Sequence, residues 1–195
     1  MRDLRTFLQK FTQNCQNVYE PGEDSELLLE CALREVRRND TVLEVGGGSG
    51  YVSYFIMDKC RFLVATDINP FAVKCMKSFG IECIRTDLAN GIRARFTLVL
   101  FNPPYLELQN FEKRGEWIER AIDGGKSGAE MTVRFLREIG DNLDKDGRII
   151  FVASSLNLKS VCREMERLGF RFKIMAKKKL FFEELYGIKA TLELG

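Results

Sequence analysis

A chain of 195 residues with 45% hydrophobic content has the size of one domain with a substantial core. Its 30 basic and 28 acidic residues leave a formal charge of +2, which lacks the basic excess of a nucleic-acid-binding surface. No apolar run approaches the length of about 18 residues that a membrane helix needs. The absence of histidine removes any imidazole base or nucleophile. The six cysteines, at 15, 31, 60, 75, 83 and 162, form no C-x-x-C pair, so the usual zinc spacings are missing and no metal site is expected. Scattered among apolar neighbours, they read as small buried hydrophobes in a reducing compartment, and the protein as cytoplasmic.

In chain order, Leu4, Phe7, Leu8 and Phe11 fall at helical spacing and predict a docking helix rather than a targeting peptide. After the segment Val18 to Ser25, Glu26 to Arg37 predicts a second helix, with Leu27, Leu28, Cys31 and Leu33 at its apolar positions. Ser25 then has two readings, a helix N-cap or a ligand contact. Thr41 to Val45 is a buried strand that runs into Gly46-Gly47-Gly48-Ser49-Gly50 and a helical stretch, Tyr51 to Lys59. Strand, glycine turn and helix form the nucleotide-binding corner of a doubly wound sheet. The dinucleotide fingerprint begun at Gly46 fails at Tyr51, and Glu44 suits a cofactor with a cationic end better than a pyrophosphate.

The next run, Phe62 to Thr66, closes at Asp67, where a carboxylate takes ribose hydroxyls. Asn69 and Pro70 are set as the N-cap and first residue of a helix. Ile81 to Thr86 ends at Asp87-Leu88, and Phe96 to Phe101 ends at Asn102-Pro103-Pro104-Tyr105. Leu106 to Lys126 shows no periodicity and reads as a substrate loop, in which Trp117 is taken as a packing residue. Ser127 to Glu130 looks like a capping box opening a helix to about Leu143. Gly147 ends the turn before a strand, Arg148 to Ala153. Asn157 caps a helix to Leu168, and Gly169 stops it. Phe170 to Leu194 reads as two strands with a turn near Glu183 to Tyr186, and Lys177-Lys178-Lys179 as a solvated strand edge.

Glycine turn, Asp67, Asp87 and Asn102 thus end four successive strands on one carboxyl edge, where open α/β sheets bind ligands. Asn-Pro-Pro-aromatic offers an amide, carbonyls that no following N–H covers, and a flat ring, a set suited to holding a planar nitrogen.

Glu44-x-Gly-x-Gly-x-Gly, Asp67-Ile-Asn-Pro, Asp87 and Asn102-Pro-Pro-Tyr resemble class I S-adenosylmethionine-dependent methyltransferases. Among these the chain is most similar to HemK/PrmC-type release-factor glutamine N5-methyltransferases. Val18-Tyr-Glu-Pro-Gly-Glu-Asp-Ser25 is similar to the entry motif of their short archaeal and eukaryotic branch. The family more often has Asp at the position of Glu44. The resemblance implies a Rossmann-like α/β fold: a seven-stranded, mostly parallel sheet with a C-terminal antiparallel hairpin and helices on both faces. It implies a single domain, 1–195, with the N-terminal helix and cofactor-entry motif in 1–25 and a substrate loop in 106–126.

It further implies S-adenosylmethionine as cofactor, contacted by Ser25, Glu44, Gly46, Gly48, Gly50, Asp67, Ile68, Asp87, Leu88 and Asn102. Within that set Glu44 would meet the amino-acid end, Asp67 the ribose and Asp87 the adenine amine. Asn102, Pro103, Pro104 and Tyr105 would be catalytic, and Tyr19 and Glu23 could shape the cofactor cover. The implied acceptor is the glutamine of the Gly-Gly-Gln motif in a class-one translation release factor. The alternative is an N6-adenine methyltransferase acting on RNA or DNA, since an exocyclic amine poses the same geometric problem. The implied partner is a small zinc-binding activator subunit that pairs with the sheet edge at Glu82 to Thr86.

Overall fold

The computed structural model describes residues 2–105, 117, 121, 123–125 and 128–192. Most of the expected 106–126 loop, together with Ser127, therefore lies outside the described residues.

Seven strands form one sheet: β1 (Thr41–Val45), β2 (Phe62–Asp67), β3 (Cys83–Arg85), β4 (Phe96–Phe101), β5 (Leu143–Ser154), β6 (Phe170–Lys179) and β7 (Glu184–Leu192). Their order is β3-β2-β1-β4-β5-β7-β6. The first five are mutually parallel, while β7 runs antiparallel to both β5 and β6. This is the predicted sheet with its terminal hairpin. The strand order reverses between β1 and β4, the switch point at which such sheets leave a crevice.

Period-two alternation sends side chains to two cores. Val42, Leu98, Leu100, Ile150 and Val152 join the core under helices α1 (Leu4–Asn14), α2 (Glu23–Glu35), α3 (Tyr51–Ile56) and α4 (Pro70–Ser78). Leu43, Val45, Val99, Phe101, Ile149 and Phe151 join the core under α5 (Glu130–Glu138) and α6 (Leu158–Arg167). Helices therefore cover both faces.

The apolar runs that become β1, β2 and β4 lie where expected. In α1, Phe7 is buried against Phe11, Tyr54 and Phe79, and Phe11 is buried too, but Leu4 and Leu8 are exposed, so the docking face is narrower than four residues. Helix α2 opens three residues before the expected Glu26, with Gly22 as N-cap, which removes the capping reading of Ser25. Asn69 caps α4, accepting from Phe71 N at 2.9 Å, with Pro70 in the first turn.

Helix α5 begins at Glu130 with Ala129 as an N-cap that makes no side-chain bond, so the capping-box frame does not hold. It ends at Glu138, and a short 3-10 turn, Ile139–Asn142, replaces the expected last helical turn. Strand β5 starts five residues before Arg148 because a bulge opposite Phe96 and Leu98 absorbs the polar stretch 144–147. Asn157 is the N-cap residue of α6, as expected, but its side chain makes no capping bond. The final turn spans 180–183, three residues before its expected place, closed by Leu180 N to Glu183 O at 2.8 Å.

Cys15 and Cys75 are joined in a disulfide, which corrects the reading of all six cysteines as unpaired. Their separation of 60 residues carries no recognisable spacing; packing of α1 on α4 brings them together. Of the other four only Cys31 is buried, and Cys60, Cys83 and Cys162 are half-buried. Among the described residues no helix is long and apolar enough to cross a membrane.

Candidate active site

The carboxyl ends of β1, β2 and β4 converge on one cavity. Its wall contains Ser25, Glu44, Gly46, Gly48, Asp67, Ile68, Asp87, Leu88 and all four residues Asn102 to Tyr105. Of the residues predicted to contact the cofactor or to be catalytic, Gly50 alone is outside this wall. It is the N-cap of α3 with φ 75°, and a Cβ there would lie 2.7 Å from Ile81 Cδ1, so Gly50 serves the close packing of loop on helix.

Glu44 shares the face of β1 with Val42, directly beneath α3. Its carboxylate accepts from Ser53 N at 2.9 Å and from Ser53 Oγ, taking up a first-turn N–H that the glycine N-cap leaves free. Burial pushes its pKa up to about 7 against these hydrogen bonds, helped by the charge of Asp67. Asp67 accepts from Gly48 N and Asn69 N, both at 2.8 Å, so the glycine turn and the start of α4 fix the carboxylate. Its pKa too is raised by burial. Both oxygens of Asp87 are held by Arg134 of α5, at 2.8 and 3.2 Å, a partner 47 residues away that no local pattern announces. Leu88 beside it holds φ 52°, a strained backbone on the cavity wall.

The N-terminal segment closes another side. Val18 and Tyr19 line the cavity, and Asn17 O accepts from Asn69 Nδ2 at 2.9 Å. Tyr19 Oη donates to Asp24 at 3.3 Å, and Ser25 N and Oγ donate to the other oxygen of that buried carboxylate at 2.6 and 3.2 Å. Ser25 is therefore a wall residue in the first turn of α2. Glu23 heads the same helix; the cavity wall includes its neighbour Asp24 but not Glu23.

Asn102 follows β4, and its Oδ1 is buried with no hydrogen-bond donor among the described residues. Tyr105 is gripped from behind. A Cβ at Gly128 (φ 66°) would meet Tyr105 O at 2.4 Å, so only glycine permits the approach. Asn157 Nδ2 donates to Gly128 O at 2.6 Å while its Oδ1 accepts from Ser154 N at 3.1 Å, tying this wall to the end of β5. Sequence reasoning gave Asn157 a capping role; its two-sided amide could be placed only once β5 and residue 128 were adjacent. Burial, followed by the carboxylates of Asp24 and Glu183, raises the Tyr105 pKa, so the phenol stays neutral. Trp117, expected to be packing alone, lines the cavity together with Thr86 and Met131.

Residues 15–182 match the methyltransferase small domain. The chain belongs to that family. A Methanocaldococcus jannaschii chain provisionally named as a protein N5-glutamine methyltransferase is 40% identical over 181 residues, covering 89% of this chain and 91% of that one. The human methyltransferase HEMK2 is 33% identical over 192 residues, covering 90% of each. Among solved structures, the E. cuniculi Mtq2–Trm112 complex, described as responsible for methylating the translation termination factor eRF1, superposes with a TM-score of 0.76 at 27% identity. That match covers 91% of this chain and 100% of the other. The protein is thus an enzyme, a methyltransferase of class I architecture, and its strand-end cavity is the candidate site of methyl transfer.

Proposed function

We propose that this methyltransferase moves a methyl group from S-adenosylmethionine to the side-chain amide nitrogen of the glutamine in the Gly-Gly-Gln motif of a class-one translation release factor. The observation that carries the reading is the buried Asn102 Oδ1, an acceptor with no donor among the described residues, on a residue lining the cavity. Such an atom costs about 1–3 kcal/mol unless a ligand N–H meets it.

The residues present fit the cofactor. Gly46 (φ 62°) and Gly48 (φ 53°) leave bare backbone on the wall, and the anchored Asp67 carboxylate keeps lone pairs for ribose hydroxyls. Glu44, when ionised, favours a cationic amino group, and Asp87 would offer the adenine amine the lone pairs that Arg134 leaves. Bound S-adenosylmethionine would supply an electrophilic methyl on a sulfonium whose S–CH3 bond breaks to leave neutral S-adenosylhomocysteine, so the work left to the protein concerns the nitrogen.

An amide nitrogen is a poor nucleophile because its lone pair is delocalised into the carbonyl. Asn102 Oδ1 and the Pro103 carbonyl each accept one amide N–H, which turns the nitrogen lone pair toward the methyl. Pro103 and Pro104 fix the backbone that aims them and carry no N–H of their own. The neutral Tyr105 ring stacks on the amide plane. Alignment of this kind supplies about 7–11 kcal/mol of a barrier, and the two hydrogen bonds strengthen as positive charge grows on nitrogen. Once methylated, that nitrogen releases its proton to water without a histidine base. Asp24, Glu23 and Glu183 lie close enough to act on Tyr105 and Tyr19, giving the mouth an acidic rim that repels a polynucleotide backbone.

The test is transfer of label from S-adenosylmethionine to the cognate release factor beside its Gly-Gly-Gln to Gly-Gly-Ala variant. Label on the wild-type factor alone, reduced about 100-fold or more by Asn102→Ala, is the expected result. Label on RNA or DNA instead would move the acceptor to adenine.

We also propose a small zinc-binding activator as partner, as the Mtq2–Trm112 relative suggests. Strand β3 is one of the sheet's two edges, Ile84 on it is exposed, and such an edge needs covering. Unchanged activity of a monodisperse isolated chain, with or without that subunit, would remove this proposal.

A further inference from the structure

Phe181 and Phe182 occupy the tip of the β6–β7 hairpin and are 91% and 89% exposed, stacked edge to face with ring centroids 4.6 Å apart. Adjacent phenylalanines held this far into water are uncommon. The tip is anchored at the end of the sheet that carries the site. Ser154 Oγ, at the end of β5, donates to the Glu183 carboxylate; Ser155 N donates to Glu184 O at 2.8 Å, and Glu184 N to Ser155 Oγ at 3.1 Å. The rings, with Lys179, Leu180 and Glu183, border a shallow depression whose far side is Glu23. Glu23 adjoins Asp24 of the cavity wall, and Ser154, which holds Glu183, is joined through Asn157 to Gly128 against Tyr105, so the depression lies beside the cavity mouth.

Two phenylalanine rings can bury about 300–500 Å² together, well under the roughly 800 Å² per partner that a stable interface requires. The tip cannot hold a partner unaided. It can add an anchor to a footprint centred elsewhere, and the footprint within reach is the cavity mouth. Building on the proposed function, we infer that Phe181 and Phe182 are the docking anchor for the protein substrate, gripping an apolar surface of the release factor beside the loop whose glutamine enters the cavity. Because the turn is tied to β5, the rings are pre-positioned and little ordering is lost on docking.

The test compares wild type with the Phe181→Ser/Phe182→Ser variant on two acceptors, the full-length release factor and a short peptide spanning its Gly-Gly-Gln motif. Both positions are exposed, so an unchanged Tm is expected. The KM for the full-length factor should rise about tenfold or more, while kcat, peptide turnover and cofactor affinity stay unchanged. An unchanged KM for the factor would overturn the inference, as would an equal loss on factor and peptide, which would place the effect in the cavity. A wild-type dimer that the double substitution dissociates would assign the tip to a second copy of this chain and overturn it too. Failure of the wild type to methylate either acceptor would instead bring down the proposed function, and this inference with it.

Discussion

Glu44 is the residue at which burial and chemistry oppose each other most directly. Its carboxyl has a pKa of about 7 in the folded chain and an ordinary value of 4.5, so between those pH values the native state binds a proton that the unfolded state has released. Its contribution to stability therefore falls as pH rises from 4.5 to 7, by on the order of 3 kcal/mol in full, and is flat above. Glu44→Gln removes the titration. Urea unfolding at pH 5 and pH 8 should show the variant gaining stability relative to wild type at the higher pH; parallel pH dependences would refute this account. At the same scale, the strand-end residues Asp67, Asp87 and Asn102 were legible because each closes an apolar run. Arg134 on Asp87 and Asn157 on Gly128 were not, since both contacts join segments distant in sequence.

Among elements, α2, β1, β4 and β5 meet at a buried charge cluster beneath the opposite end of the sheet. Arg148 donates to Asp40 at 2.6 and 3.0 Å and to Thr97 O at 2.8 Å, while Asp40 also accepts from Thr97 Oγ1 and Arg37 N. Asp40→Ala leaves a buried guanidinium without its carboxylate and should cost about 3–5 kcal/mol, read as a lower urea midpoint at unchanged m-value. A loss under 1 kcal/mol would show that Glu35, 3.4 Å from Arg148 Nε, compensates. Strands β1, β2 and β4 could be read from sequence because continuous apolar runs bounded by polar residues have one solution in a parallel sheet. The start of β5 could not, since Asp144 to Gly147 reads as a turn and only the bulge against β4 keeps it in the sheet. The last turn was displaced because Phe181 and Phe182 have strand-like character but sit at its tip.

For the whole molecule, the Cys15–Cys75 bond closes a loop of 60 residues that contains α2, β1, the glycine turn and β2. A closure of that length contributes roughly 4 kcal/mol by chain-entropy reasoning. It also pins the chain leading to Val18 and Tyr19 on the cavity wall. Cys75→Ser should lower Tm and weaken S-adenosylmethionine binding in calorimetry, and a reductant should do the same to wild type but nothing further to the variant. Binding that survives both treatments would make the bond a matter of stability alone. Asn102 Oδ1, buried with no donor among the described residues, bears on how such an enzyme can evolve. An apolar side chain of similar size at position 102 would need no such donor, so a selection that rewards heat resistance alone should drift toward apolar residues there and yield hardier proteins with no catalysis.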